Sequence, residues 1–379
     1  MVHVLITGGA GFIGSHVTTA LLRAGFRVRI LDSLSPQIHG ALPVGLGWLS
    51  APGIEFLRGS VTREVDLRRA LDGVDAVVHL AAETGTGQSM YDIAHYNSVN
   101  VQGTALLMDI LANDRNRKVR RFVLASSRSI YGEGAHACNA CDLGKRVYPE
   151  ARSAQALAQH RWEHACATCG NALTALATVE SDPARPASIY AATKLAQEDL
   201  VRIACSSLGL GYAILRLQNV YGEGQSLNNP YTGILSIFST RIRRELELPI
   251  FEDGEETRDF VHVADVANAF LAAVTAERAP DSQINVGSGI GTSIAEVARR
   301  LGRAFGAAPR LVVTSQYRLG DIRHNRAEIT RLYEQLDYRP HVSLAEGLQR
   351  FVAWVQTQPL PEDRSQVANA ELGARGMMG

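Results

Sequence analysis

An excess of either charge is what this 379-residue chain lacks, with 38 lysines and arginines against 38 aspartates and glutamates. No overall field recruits nucleic acid or an anionic membrane surface, so any phosphate recognition has to be local. Long apolar runs are absent too. None approaches the roughly 18 residues of a membrane span, and "MVHVLITGG" opens on a strand pattern instead of a signal peptide's charged leader. Cysteine is scarce: there are five, four of them in two CxxC pairs, which suits a reducing compartment better than a disulfide framework. No internal repeat is visible. The expectation is a cytoplasmic α/β protein of about two domains, with neither nucleic acid nor membrane as partner.

What is present is an alternation. "VHVLIT", "FRVRILD", "IEFLRGS", "DAVVHLAA" and "RRFVLASS" read as short apolar strands separated by helix-like stretches. In "FIGSHVTTALLRAG", Ile13, Val17, Ala20 and Leu21 share one helical face, and Gly25 is placed to end the helix. Strands alternating with helices predict a Rossmann-like, doubly wound parallel sheet. Periodicity fails over residues 134–171, then returns in the helix "SIYAATKLAQEDLVRIACSSLG" and the strand "YAILRLQNVYG". The predicted organisation is a dinucleotide-binding domain over 1–220 interrupted by the 134–171 insert. A smaller substrate lobe follows over 221–360, with some return to the first domain, and then a polar, flexible tail over 361–379.

"TGGAGFIGSH" places Gly8, Gly11 and Gly14 between a strand and a helix. Gly8 permits a tight turn, Gly11 lets the backbone approach a pyrophosphate at the helix N-terminus, and Gly14 permits close helix–strand packing. Asp32 ends the next strand, where a carboxylate accepts hydrogen bonds from ribose hydroxyls and repels a 2′-phosphate. The expected cofactor is therefore NAD, not NADP.

"YAATK" puts Tyr190 and Lys194 one turn apart on a helix. A free tyrosine titrates near 10 and is a poor base at neutral pH. A neighbouring ammonium and an oxidised nicotinamide favour its phenolate and make it a usable acid/base. Ser127, at the end of "RRFVLASS", is placed to orient the same substrate hydroxyl.

A glycine-rich turn, a strand-end serine and YxxxK, in that order, resemble the extended short-chain dehydrogenase/reductases, the nucleotide-sugar epimerase/dehydratase family. The resemblance runs from Met1 to about Gln358, apart from the insert. It implies a nucleotide-diphosphate sugar as substrate and a homodimer joined through the helices near 100–112 and 189–206. It also implies NAD contacts at Phe12, Ile13, Ser60, Val61, Leu80, Ala81 and Ala82, with Asn100 anchoring the structure near the nicotinamide. On the substrate side it implies Thr84, Thr86, Gln88, Ser127, Arg128 and Asn219, with Arg258 and Arg323 on the diphosphate or its ribose. Two departures stand out. Gly59-Ser60 replaces the family's Gly-Asp beside adenine. Arg128-Ser129 replaces the Asp-Glu pair with which the family's 4,6-dehydratases eliminate water. What remains suffices for oxidation at one carbon and return of the hydride, a 4-epimerisation. A net 4-dehydrogenase or 4-ketoreductase, and a non-catalytic NAD-binding scaffold, are the alternatives.

The insert carries Cys138, Cys141, Cys166 and Cys169, two CxxC pairs with the spacing of a four-sulfur zinc site. A structural zinc would supply folding energy to a segment too short for its own core. The same spacing serves thiol exchange, and unrelated buried thiols are a third reading. Together with "ETGTGQSM", "SSRSIYGEGA" and "GDIRHNRAEI", this insert resembles the dTDP-L-rhamnose 4-epimerase branch of the family. The clip is then expected to hold a loop beside the active-site mouth or a subunit contact, without taking part in the chemistry.

Overall fold

The apolar runs of the first half become parallel strands because alternate residues face two helical layers. The structure, a computed structural model, describes residues 2–40, 45–227, 233–363 and 365–379. Strand β1 (His3–Thr7) feeds helix α1 (Phe12–Arg23), followed by β2 (Arg27–Asp32), β3 (Ile54–Arg58) and α2 (Glu64–Leu71). Next come β4 (Ala76–His79), α3 (Gly103–Asn113) and β5 (Arg121–Ser127). Val4 and Ile6 of β1 pack with Val17 and Leu21 of α1 in one buried cluster. Leu5 faces the other way, into a cluster with Leu67 of α2 and Leu107 of α3. A period of two that is apolar on both faces is what a sheet covered on both sides requires.

After β5 the chain makes a small antiparallel sheet from β6 (His136–Cys138), β7 (Asp142–Val147) and β8 (Thr174–Ala175), with β6 in the middle. Helix α4 (Ile189–Leu208) then restores the large domain. Ser188 caps its N-terminus by accepting from the Ala191 amide at 3.2 Å, and Gly209 ends it in the left-handed region at φ 64°. The run "YAILRLQNVYG", expected as one strand, divides at Gln218. Its first part, β9 (Gly211–Leu217), joins the large sheet, while β10 (Asn219–Tyr221) pairs with β11 (Thr257–His262) in the smaller lobe. The break lies where the Gln218 amide donates to the Val286 carbonyl at 2.9 Å.

Helix α5 (Val263–Thr275) and strand β12 (Ser282–Val286) return to the large domain, α5 packing on α1 and β12 pairing with β9. The large sheet thus has seven parallel strands in the order β12-β9-β5-β4-β1-β2-β3. Strand β13 (Gly291–Ser293) pairs antiparallel with β11 and completes the lobe's sheet. Helices α6 (Ile294–Ala304) and α7 (Leu344–Thr357) cover that lobe through Val297, Leu301, Phe351 and Val355.

The C-terminal stretch does not behave as the frayed tail expected of its composition. It forms helix α8 (Ser365–Ala374), buries Leu372 and ends in a backbone bridge between Arg318 and Met378. The Tyr317 amide donates to the Gly379 carbonyl at 2.9 Å. One buried leucine and a few main-chain hydrogen bonds order a segment whose side chains give no periodic signal. Among the described residues no helix is long and apolar enough to cross a membrane.

The first helix leaves the sheet at very short range. A Cβ on Gly14 would lie 2.5 Å from the Gly8 carbonyl oxygen and 2.6 Å from the Gly9 Cα, whereas one on Gly11 would meet only the Gly8 oxygen, at 3.3 Å. Gly14→Ala is therefore expected to cost about 1–3 kcal/mol by overpacking, and Gly11→Ala clearly less. Urea unfolding of the two variants beside the parent measures the difference.

Candidate active site and cysteine cluster

The C-terminal ends of the parallel strands open into a cleft of about 1240 Å³ that continues beneath the smaller lobe. Pockets for one small molecule run to roughly 300–1,000 Å³, so this cleft has room for a dinucleotide and a second ligand together. At one end lie Gly8, Gly11, Phe12, Ile13 and Gly14. A Cβ on Gly8 would collide with the Ala81 amide nitrogen at 2.8 Å, so this turn and the β4 loop touch through bare backbone. Asp32 also lines the cleft. Its two carboxylate oxygens accept from the Ala10 amide at 3.0 Å and the Leu34 amide at 2.9 Å. Each oxygen keeps a lone pair for a ribose hydroxyl. Ser60 and Val61 form the far wall, and the Ser60 amide is held by Asp66 at 2.9 Å. Leu80, Ala81 and Ala82 continue the floor. Shape, exposed helix N-terminus and ribose acceptor fit a dinucleotide.

In the middle of the cleft β5 and α4 converge. Ser127 begins a 3-10 turn, and its Oγ accepts from the Ser129 amide at 3.2 Å and from the Ser129 hydroxyl at 2.9 Å. Tyr190 and Ser127 line the same part of the cleft. Burial pushes the Tyr190 phenol above the usual tyrosine range, while the Ser127 hydroxyl and the Arg128 charge pull it back. Lys194 donates from Nζ to the Ala125 carbonyl at 3.0 Å, and burial brings its ammonium down to about 7, against the opposing charge of Glu198. The three candidates are thus brought together, with Arg128 as the cation acting on the phenol.

Beneath them lies a buried chain that no motif announces. Thr7 Oγ1 and His79 Nδ1 are 2.7 Å apart, His79 Nε2 and Thr104 Oγ1 2.9 Å, and Gln197 donates to Thr104 at 2.7 Å. Burial drives the His79 pKa down to about 3, so the ring is neutral and serves as a hydrogen-bond link. A lone histidine in an apolar strand gives no sequence signal of this role.

On the substrate side, Thr84, Thr86, Arg128, Asn219 and Arg258 line the cleft. Arg128 Nη1 is buried without a hydrogen-bond partner among the described residues. Burial, then the nearby Arg258 charge, brings the Arg128 guanidinium down to about 9. Three expected contacts lie elsewhere. Gln88 is turned away and pairs with Gln37 at 2.8 Å. Asn100 is fully buried behind the wall, accepting from the Glu83 amide at 2.8 Å and donating to Thr193 at 3.0 Å. It ties the loop after β4 through Glu83 and does not line the cleft. Arg323 is also buried, and its guanidinium is taken up by Glu163, Glu252 and Asp253 instead of facing a diphosphate. Four carboxylates sit within ion-pairing range of it, counting Glu256 at 3.8 Å, which leaves no donor for a ligand. Sequence reading also missed Arg318 and Asn369, which line the cleft from segments with no motif, and Asp321, which lies in "GDIRHNRAEI" two positions before Arg323.

The four insert cysteines converge. Their Sγ atoms all lie within 4.8 Å of one another, with Cys138–Cys141 at 3.4 Å, Cys141–Cys166 at 3.4 Å and Cys138–Cys169 at 3.5 Å. Sulfurs at about 2.3 Å from a tetrahedral zinc stand roughly 3.8 Å apart, whereas a disulfide needs about 2.05 Å. All four are free thiols, so the donor set fits a four-sulfur ion. Cys205, away from this cluster, is packed in the core.

The profile of the NAD dependent epimerase/dehydratase family matches residues 4–178 and 164–287. The chain belongs to this family. It is 38% identical over 356 residues to a dTDP-L-rhamnose 4-epimerase of Burkholderia thailandensis, covering 93% of this chain and 94% of that one. Among solved structures it resembles a UDP-glucuronic acid 4-epimerase from Bacillus cereus in complex with UDP-glucuronic acid and NAD. That likeness has a TM-score of 0.74 and 25% identity, over 93% of this chain and 99% of the other. It also resembles a UDP-glucose 4-epimerase with UDP-glucose from Thermotoga maritima, with a TM-score of 0.72 and 28% identity, over 93% and 98% of the two chains. The family thus matches the fold and function class expected from the glycine turn and YxxxK.

Within this family geometry, Tyr190→Phe keeps the ring and its packing and removes the one group placed to exchange a proton with a hydroxyl beside Ser127. Turnover is expected to fall by about 10²–10⁴ with NAD affinity unchanged, as measured by steady-state kinetics beside calorimetric titration of NAD. A Phe variant as active as the parent would remove Tyr190 from the chemistry.

Proposed function

We propose that this chain is an NAD-dependent 4-epimerase of nucleotide sugars, acting on a dTDP-6-deoxyhexose such as dTDP-L-rhamnose. The observation that carries it is the junction in the cleft. Ser127, Tyr190 and Lys194 meet between a dinucleotide cradle and a second compartment lined by Arg128, Asn219 and Arg258. NAD, held by the glycine turn and Asp32, supplies a hydride acceptor and donor. Ser127 fixes the carbon-4 hydroxyl, and Tyr190 takes its proton as that carbon is oxidised. After the sugar turns its other face, Tyr190 returns the proton to the carbonyl oxygen as the carbon is reduced. No net oxidant is consumed. Arg258 holds the diphosphate.

The turn after Ser127 separates this reaction from elimination. Removing water from carbons 5 and 6 needs a base and an acid beside the sugar. Arg128 and Ser129 occupy the two positions that follow Ser127, and a guanidinium that stays charged donates hydrogen bonds but abstracts no proton. Similarity to the Burkholderia thailandensis enzyme supports the choice of dTDP-L-rhamnose. We assign zinc, as a structural ion, to Cys138, Cys141, Cys166 and Cys169, on the sulfur spacing above. A homodimer through α3 and α4, which leave Ile203 exposed on α4, and a cytoplasmic location complete the reading.

Incubation with dTDP-L-rhamnose and no added hydride donor, followed by NMR, is expected to yield the carbon-4 epimer at a fixed equilibrium ratio, with no net change at 340 nm. Accumulation of NADH and a 4-keto sugar would instead make the protein a net dehydrogenase.

Metal analysis is expected to find one zinc per chain. Chelation should open residues 134–171 to hydrogen exchange while NAD still binds, and abolition of NAD binding would show that the cluster does more than hold the insert.

A further inference from the structure

The insert touches the rest of the protein through charges, and those charges end on the substrate wall. Arg152, on the insert, donates from Nη1 to Glu252 at 2.7 Å and from Nη2 to the Asp321 carbonyl at 2.9 Å. Glu252 and Asp321 both line the cleft. Glu163, also on the insert, accepts from Arg323 Nε at 2.8 Å and pairs with His324 Nε2 at 3.1 Å. Burial alone would raise the Glu163 carboxyl, but the His324 and Arg323 contacts hold it down to about 2. The Arg323 carbonyl in turn accepts from Arg258 Nη1 at 3.0 Å, and the Arg323 amide donates to Glu133 at 2.8 Å. Glu133 lies at the insert's entry, 3.4 Å from Arg152 Nε and 3.3 Å from His164 Nε2. Trp162 of the insert faces Tyr317 of the same wall, ring centroids 6.4 Å apart.

These contacts form one path, from insert to Arg323 to the cleft arginine Arg258, with a second branch through Arg152 to Glu252 and Asp321. Arg152 and Arg323 are almost entirely buried. Buried guanidiniums keep a fixed geometry only when their donors are paired, and removing one partner leaves an uncompensated charge that moves its neighbours. The isolated bridge between Thr257 and His324 and the Arg152 bond to the Asp321 carbonyl both lie on this seam.

We propose that Arg152 and Glu163 are positioning residues of the substrate site, so that the insert is the outer half of its wall. They set the place of Arg258 and of the 317–322 segment against the nucleotide sugar, and they touch neither NAD nor the reacting carbon. This rests on the reading of that compartment as the sugar-nucleotide end of the cleft.

Two variants test it, Arg152→Met and the milder Glu163→Gln, each against the parent with its zinc in place. Arg152→Met is expected to raise KM for dTDP-L-rhamnose about tenfold with kcat within about twofold, and Glu163→Gln by a smaller factor. Calorimetric NAD affinity should stay unchanged, and Arg152→Lys should recover part of the loss. Without any ligand, hydrogen exchange should rise over 317–324 in both variants and stay at the parent level over 8–15 and 189–200. Unchanged exchange at 317–324 in both variants, or faster exchange with no loss of sugar-nucleotide affinity, overturns the proposal. If Arg152→Met does not fold, Glu163→Gln and Arg152→Lys decide it by the same two readouts. A parent that leaves dTDP-L-rhamnose unchanged refutes the substrate reading, and the exchange measurement then decides the buttress by itself.

Discussion

Behind the catalytic strand ends, Arg216 on β9 lies with its guanidinium on both oxygens of Glu198, at 3.0 Å from Nε and 2.8 Å from Nη2. Glu198 belongs to α4, one turn beyond Lys194, and also accepts from Ser126 on β5 at 2.5 Å. Arg216 Nη1 donates to the Tyr131 hydroxyl at 2.8 Å and to the Glu180 carbonyl at 3.0 Å, and Tyr131 donates to Asn285 on β12 at 2.8 Å. One buried charge pair therefore fixes three strands and a helix in a single register. Both partners are almost inaccessible to water, so loss of either would strand the other, at a cost of about 3–5 kcal/mol. Ser127 follows Ser126, and Lys194 and Tyr190 precede Glu198 on the same helix. Their meeting is set by this pair more than by their own contacts.

That constraint also explains where the cleft lies. β5 and β9 are held side by side over their full length, and the chain turns out of the sheet at the C-terminal end of each. It leaves β9 at Gln218 and starts a second sheet, with the smaller lobe hanging from that point. Helix α5 and strand β12 then bring the chain back, so the lobe is tied to the large domain at both ends. A ligand between them touches groups from both sheets, as expected where strand order reverses in an open α/β sheet.

Much of this was legible in the sequence, and the failures have physical causes. The parallel strands, the glycine turn, Asp32 and YxxxK each rest on a local rule: alternation, a backbone that needs no Cβ, or two side chains one helical turn apart. Such rules survive folding because they involve neighbours in sequence. Arg323 misled for the opposite reason. An arginine beside a motif reads as a phosphate ligand, but its charge is consumed by Glu163, Glu252 and Asp253, which lie 160, 71 and 70 positions away. Composition suggested a loose tail at 361–379, because one leucine and a backbone bridge carry no periodic signature. His79 was hidden because an imidazole in an apolar strand reads as packing, and only the fold sets it between Thr7 and Thr104.

In the insert a four-cysteine cluster and an ion-pair seam occur together. Two short strands and the helical turn Ala154–Ala158 cannot bury enough apolar surface to offset their chain entropy. A four-sulfur knot supplies local order, yet it says nothing about where the segment sits on the body. Beside the Trp162–Tyr317 ring contact, the wall the segment meets carries Glu252, Glu256, Arg258 and Asp321. Charged side chains solve both needs, because they pair with that wall and are directional enough to fix it. In this arrangement the insert and the wall share the same buried ion pairs. An interruption between Ser127 and Tyr190 is then sited to reach the far side of the cleft: it leaves from the strand end that carries Ser127 and returns at the helix that carries Tyr190.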